Sequence, residues 1–229
     1  MNTIVSTVRA PAVAGRFYPA DAVQLERVVR NYAGRRVTTL KGVCGLIAPH
    51  AGYACSGGVA GNAYAALAAL ERRARVVYVM GPAHWKAVHG VAFSGAQAFA
   101  TPLGEAPIAH ERIAEPGALT AKYGVDDAAH APEHCLEVQL PFLQVTLGEF
   151  SFVPMLFDDE ADLEAVGDDL AQLLERHPED LVVVSSDLSH YHAYQDAVNT
   201  DASFLKALAT GDESRVNVGR RAVWRQSSA

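Results

Sequence analysis

The stretch LVVVSSDLSHYH, at residues 181–192, places a strongly apolar run directly before a cluster of polar side chains. Four consecutive apolar residues (181–184) are typical of a strand that is buried on both faces, as in a parallel sheet. Ser185, Ser186, Asp187 and His190 follow at the end of this predicted strand. Side chains that bind protons or metal ions therefore collect where the strand ends, which predicts either a ligand site or a polar loop.

Three further apolar runs have the same character, and segments with helical spacing lie between them. In these segments apolar residues recur three or four positions apart, as on one face of an amphipathic helix. The alternation predicts one α/β domain over residues 1–229, with a mainly parallel or mixed central sheet flanked by helices. The predicted strands are residues 43–48, 76–80, 150–156 and 181–184, and the predicted helices are residues 21–32, 58–72, 133–147 and 162–176.

The composition argues against several classes of protein. The chain has 229 residues and a net charge of −7, and no long basic run, so a nucleic-acid partner is not expected. No apolar run reaches the ~18 residues of a membrane span, and the N-terminal residues lack the pattern of a signal peptide. Three widely spaced cysteines form neither a disulfide framework nor a zinc motif. We therefore expect a cytoplasmic protein without a membrane partner.

Polar residues follow the other predicted strands as well. His50 comes after the strand at 43–48, and His84 comes after the strand at 76–80. Ligands of open α/β sheets bind beyond the carboxyl ends of the strands, so His50, His84, Asp187 and His190 are expected at the same edge. His134, at the start of the predicted helix 133–147, is a further candidate.

Each of these residues taken alone has an ordinary explanation. A single histidine after a strand is more often a loop residue that hydrogen-bonds to the backbone than a ligand. Glu133 and Glu137 lie four positions apart on the predicted helix, so we expect them on its solvated face. The joint placement of several such residues at one edge of the sheet is what favours a site.

The residue types leave three kinds of chemistry open. Imidazoles with a carboxylate suit Fe(II), Zn(II), Mn(II) or Cu(II), and two histidines with one carboxylate are the usual ligands of non-haem iron. Without a metal, His134 or His190 would act as general acid or base, with Asp187 orienting an imidazole. A serine nucleophile is the weaker alternative, because the chain has no G-x-S-x-G turn.

Several long motifs follow one another in the order found in the Memo family. They are PAVAGRFYPAD, GLIAPHAGYACSGGVAGNAY, VYVMGPAHW, TPLG, EHCLEVQLPFLQ, FVPML and VVVSSDLSHY. The chain resembles this family, whose bacterial members are called AmmeMemoRadiSam system protein B, over about residues 11–201. The resemblance implies a fold like that of the LigB-type class III extradiol dioxygenases, which are non-haem iron enzymes.

The resemblance also implies roles for individual residues. His50 and His84 match the metal-site histidines, while Asp187, His190 and His134 would line the same pocket as catalytic residues. The implied cofactor is a divalent metal ion, Fe(II) with Zn or Cu as alternatives.

The implied function is a dioxygenase-like oxidoreductase acting on a small, unidentified substrate. The alternative is a non-catalytic module that uses the pocket to recognise a peptide or a partner protein. A metal-dependent hydrolase is a third, weaker option.

The C-terminal part departs from the family pattern. Family members supply a cysteine in a Cys-Gly motif as the third metal ligand, and this sequence has no cysteine after Cys135. We therefore expect residues 202–229 to be an atypical, truncated end. The metal site would then be incomplete and hold no metal, or Cys55, Asp187 or His190 would complete it.

Overall fold

The computed structural model describes residues 7–34, 42–70, 74–115 and 123–211. Residues 212–229, which make up most of the segment expected to be atypical, lie outside this part of the chain. The helices are α1 (Ala22–Ala33), α2 (Tyr53–Ala68), α3 (His110–Ile113), α4 (Asp127–His130), α5 (Leu140–Leu147), α6 (Leu163–Arg176) and α7 (Tyr194–Leu208). The strands are β1 (Val8–Arg9), β2 (Gly45–Ala48), β3 (Val76–Pro82), β4 (Val91–Phe93), β5 (Ala98–Thr101), β6 (Gly104–Pro107), β7 (Gly124–Val125), β8 (Ser151–Phe157) and β9 (Leu181–Ser185).

The four predicted strands form one side of a six-stranded sheet with the order β2-β9-β3-β8-β4-β7. Strands β2, β9, β3 and β8 are parallel neighbours, whereas β4 pairs antiparallel with β8. A smaller sheet has the order β1-β5-β6. The predicted α/β class with a mixed sheet is therefore confirmed.

Alternate residues of β3 enter two separate apolar cores. Val77 and Val79 belong to a core that includes residues of α1, α2 and α5. Val76 and Tyr78 point the other way, into a core with Val166, Leu170 and Leu173 of α6. Since neighbouring side chains of a strand point to opposite faces, helices cover both faces of the central sheet. This explains why these strands are apolar at nearly every position.

Contacts divide the chain into two compact units, Met1–Ser186 and Asp187–Ala229. The first unit contains both sheets and helices α1 to α6, and the second contains α7. None of the described helices combines the length and apolar character that crossing a membrane requires.

The predicted helix over residues 133–147 is wrong in its first half. A helix begins only at Leu140, after a 3-10 turn at Glu137–Gln139, while residues 133–136 form loop and turn. Pro141 in the first turn of α5 suits a helix start because it has no N–H to offer to a preceding turn. Glu133 and Glu137, which we expected on a solvated face, are both buried instead, with 2% and 0% of their surface exposed.

The charge of the buried Glu137 carboxylate is balanced by Arg9, which lies near the start of the described chain. Its carboxylate forms an ion pair with Arg9 and accepts hydrogen bonds from the backbone N–H groups of Ala12 (2.7 Å) and Val13 (3.0 Å) and from the Tyr18 hydroxyl. These contacts attach the segment around residues 9–18 to the 3-10 turn. These four partners replace the water that the buried carboxylate has lost.

Arg9 binds the same region through backbone carbonyl groups. Its guanidinium donates to the carbonyl oxygens of His130 (3.1 Å), Ala131 (3.3 Å) and Glu133. The guanidinium also lies over the ring of Phe99, with 4.9 Å from Cζ to the ring centroid. Arg9 therefore fixes the backbone of residues 130–133 as well as pairing with Glu137.

Replacing Glu137 with glutamine should lower the free energy of unfolding by about 3 kcal/mol, because the Arg9 guanidinium would stay buried without its counter-charge. Unfolding in urea, followed by circular dichroism, measures this change. Glu26→Gln is the matched control, since its pair with Arg30 is exposed (48% and 63%), and it should cost less than about 0.5 kcal/mol. Equal losses in the two variants would contradict a structural role for the buried pair.

Candidate metal centre

Three histidines meet beyond the carboxyl ends of β2 and β3. His50 follows β2, His84 follows β3, and His134 lies in the loop before the 3-10 turn. The ring centroids are 5.1 Å apart for His50 and His84, 5.7 Å for His50 and His134, and 4.7 Å for His84 and His134. The structure therefore brings together the two histidines predicted as metal ligands and His134, which was predicted as a catalytic residue.

The three imidazoles fit a small divalent ion. One ring nitrogen of each residue lies within 4.8 Å of the corresponding nitrogens of the other two. Two nitrogens that bind one ion at about 2.1 Å are at most about 4.2 Å apart, so the spacing of the three nitrogens is of the size that one small ion requires. His134 Nδ1 is buried and lies 3.1 Å from Glu133 Oε1. Neutral imidazoles are suitable ligands for zinc, copper and iron.

Glu133 holds the ring of His84. Its carboxylate accepts from His84 Nδ1 at 2.9 Å and from the His84 backbone N–H at 2.7 Å. The backbone N–H groups of His134 (2.8 Å) and Cys135 (3.1 Å) donate to the same carboxylate. A carboxylate bonded to one nitrogen of an imidazole sets the tautomer, so Nε2 of His84 is its candidate metal-binding nitrogen.

Hydrogen bonds keep Glu133 ionised although it is buried. Burial alone would raise the pKa of its carboxyl group, but hydrogen bonds from His134, His84 and backbone N–H groups outweigh burial and hold the pKa well below its usual range. The ring of His134 lies beside the same carboxylate, with its Nδ1 3.1 Å from Oε1. Glu133 therefore places a fixed negative charge beside the three imidazoles, where it favours a cation.

A second group in the same region, His84 with Glu133 and Cys135, also brings ligating atoms within 4.8 Å of one another. It fits a metal less well than the three imidazoles. The Cys135 thiol donates to the carbonyl oxygen of Pro82 at 3.2 Å, and burial raises the pKa of this thiol. Glu133 already accepts four hydrogen bonds. The carboxylate and the thiol therefore already have partners within the protein.

Asp187 and His190 belong to the second unit. Within that unit His190 Nε2 lies 3.6 Å from Asp187 Oδ2, and Tyr191, which follows, adopts a left-handed backbone conformation (φ 60°). Their catalytic roles stay predictions. Cys55, which we considered as a substitute ligand, is exposed in the first turn of α2.

Sequence reasoning missed Glu133 as part of the site. The leucine spacing after it indicated a continuous helix, and a glutamate four positions before another one looked like part of a solvated face. The signal that could have identified it is its position directly before His134, with Pro132 and Pro141 on either side of the segment. Prolines at these places interrupt a helix and favour a loop.

Comparisons with known proteins find relatives of one family along most of the chain. A model of the family described as Memo-like protein matches residues 9–221. A MEMO1 family protein of Methanopyrus kandleri is 38% identical over 224 residues, which cover 90% of this chain and 77% of that protein. MEMO1 family proteins of Thermotoga maritima and Nitrosopumilus maritimus are 34% and 30% identical, over 90% of this chain in each case and 79% and 77% of their own lengths.

Replacing Glu133 with glutamine should weaken Zn(II) binding by about 10- to 100-fold, because the ring of His84 would lose its anionic acceptor. Competition with a chromophoric chelator measures the affinity, and a thermal melt verifies that the variant is folded. Glu160→Gln is the matched control, since Glu160 forms an exposed pair with His89 at 3.3 Å. Unchanged affinity in the folded Glu133 variant would mean that this carboxylate does not support the site.

Proposed function

This chain belongs to the Memo-like protein family, and we propose that it is a metal-binding oxidoreductase of the non-haem iron dioxygenase type that acts on a small substrate. The observation that carries the proposal is the convergence of His50, His84 and His134, with Glu133 bonded to one of the three rings. Within the proposal His134 is the third protein ligand, in place of the acid–base role predicted from the sequence.

A divalent metal in this place supplies Lewis acidity toward a substrate oxygen, and iron adds the capacity for one-electron chemistry with O₂. The residues of the chain bind and orient it. Neutral imidazoles supply nitrogen lone pairs, and Glu133 offsets part of the positive charge of a bound ion.

The surroundings leave one side of the histidine cluster open to solvent. Phe17 packs edge-on against His134, with ring centroids 4.9 Å apart, and this contact shields the ring from water. His50 is buried, whereas the side chain of His84 is 37% exposed. A small substrate would approach from the side of His84, and the ring of Phe17 beside His134 adds an apolar surface that suits an aromatic substrate.

Recognition of a peptide or a partner protein is the second candidate function. Trp85 directly follows His84 and is 63% exposed. Exposed tryptophans are enriched at protein interfaces. In this alternative the histidine cluster would be a structural feature of a binding surface.

Protein purified anaerobically from iron-replete cells should contain one tightly held divalent ion per chain. His50→Ala, His84→Ala and His134→Ala should each reduce the metal content several-fold, because each removes one of three nitrogen ligands. Elemental analysis and titration with Zn(II) measure the change. His89→Ala removes an exposed histidine that pairs with Glu160 and should leave the metal content unchanged. If the three variants bind metal as well as the unmodified protein, the proposed site is wrong.

The iron-loaded protein should consume O₂ in the presence of a catechol, and His84→Ala should abolish the consumption together with the iron. An oxygen electrode with a panel of substituted catechols measures this activity. If iron is bound but no member of the panel is consumed, the dioxygenase part of the proposal fails. Capture of a peptide that depends on Trp85 but not on His84 would instead favour the binding module.

A further inference from the structure

Ser185, the last residue of β9, lies at the centre of a buried polar network beside His50. Its hydroxyl is 2.7 Å from the carbonyl oxygen of Cys135, 2.8 Å from Gln139 Nε2 and 3.0 Å from His50 Nδ1. Ser185 and Gln139 both have 0% of their surface exposed. Water therefore has no access to these groups, and every hydrogen in the network has to be assigned to a protein acceptor.

The orientation of the Gln139 amide is fixed by its other two partners. Its Nε2 lies 3.0 Å from the carbonyl oxygen of Pro49, which can only accept, so an amide N–H must point there. Its Oε1 lies 2.9 Å from the Tyr64 hydroxyl. Burial raises the pKa of Tyr64 well above its usual value, so the phenol keeps its hydrogen and donates it to Oε1. The second N–H of Gln139 is thus the one that donates to Ser185.

The hydrogens of Ser185 and His50 follow by elimination. The Cys135 carbonyl can only accept, so the single hydroxyl hydrogen of Ser185 is donated to it. The Ser185 oxygen accepts from Gln139 and has no further hydrogen to give to His50. His50 Nδ1 must therefore be the donor in the remaining contact.

We propose that Ser185 is a positioning residue that fixes His50 as the tautomer with its hydrogen on Nδ1, which makes Nε2 its candidate metal-binding nitrogen. The value of this tautomer for metal binding rests on the proposed function, whereas the tautomer itself does not. His84 is held in the same tautomer by a carboxylate, and His50 is held by a neutral hydroxyl.

The side chains that surround Ser185 are tightly packed, which fixes the geometry of the network. Tyr64 has 0% of its surface exposed and stacks on Phe142, with ring centroids 4.9 Å apart and an interplanar angle of 7°. The network thereby joins α2, the 3-10 turn and β9 behind a single imidazole. None of its members can rotate to reverse the direction of donation without leaving a buried group unpaired, which would cost about 1–3 kcal/mol.

The tautomer is measured directly by ¹⁵N NMR of the histidine side chains in the metal-free, unmodified protein. We expect the His50 signals of a ring with its hydrogen on Nδ1 and an unprotonated Nε2. Signals of the opposite tautomer would overturn the proposal. This measurement needs no variant and no bound metal, so it decides the tautomer even if Zn(II) does not bind and the proposed function fails.

Ser185→Ala tests the positioning role. Without its acceptor, the His50 ring should become a mixture of tautomers, and Zn(II) affinity should fall about 10- to 100-fold. Ser94→Ala is the matched control, because Ser94 is also buried (1% exposed) and donates to Asp127 at 2.7 Å. A general loss of packing would affect the stability of both variants but the His50 tautomer of neither. If the unmodified protein binds Zn(II) and both variants bind it equally well, the positioning role is wrong while the proposed function stands.

Discussion

Arg9 and Glu137 form an ion pair in the interior although 128 positions separate them in the sequence. Removing two charges from water costs several kcal/mol per ion unless protein hydrogen bonds replace the lost hydration. The fold supplies that replacement by bringing the backbone of residues 12–13 to the carboxylate and the carbonyl groups of residues 130–133 to the guanidinium. The segment that carries Glu133, His134, Cys135 and Gln139 is therefore held in a loop and a 3-10 turn, and its polar groups point inward.

The central sheet and two of the three histidines could be predicted from the sequence. Strands buried on both faces leave an unbroken apolar pattern, and the edge at which parallel strands end is the usual place for a ligand. These two rules predict where His50 and His84 lie, whereas the metal-binding role of both is implied by the resemblance to the Memo family. The inward placement of Glu133 and Glu137 could not be predicted, because a local pattern of leucines and carboxylates looks the same on a solvated helix. Glu137 is balanced by Arg9, and the Glu133 carboxylate is satisfied by His84 and by backbone N–H groups. Arg9 and His84 are far away in sequence and leave no local signature.

Two imidazoles of the cluster are oriented by acceptors of different charge. Glu133 is anionic and accepts from the ring of His84, so it increases the electron density that this ring can give to a ligand. Ser185 is neutral and accepts from the ring of His50, which is the more buried of the two. The cluster thus combines a strongly polarised ring on its solvent side with a weakly polarised ring on its interior side.

Strand β9 lies between β2 and β3 and carries none of the three clustered histidines. Two strand spacings of about 4.8 Å separate β2 from β3, and the imidazoles of His50 and His84 reach toward each other across the end of β9 at Ser185. Gly81 of β3 leaves room there, because a Cβ at this position would lie 2.8 Å from Cys135 Sγ and 3.3 Å from the Cβ of Ser185. Strand β9 therefore keeps the strands that precede His50 and His84 at a fixed distance from each other. The distance between the backbone positions that carry the two rings is set by the hydrogen-bonded width of the sheet, a dimension that side-chain substitutions in the surrounding loops leave unchanged.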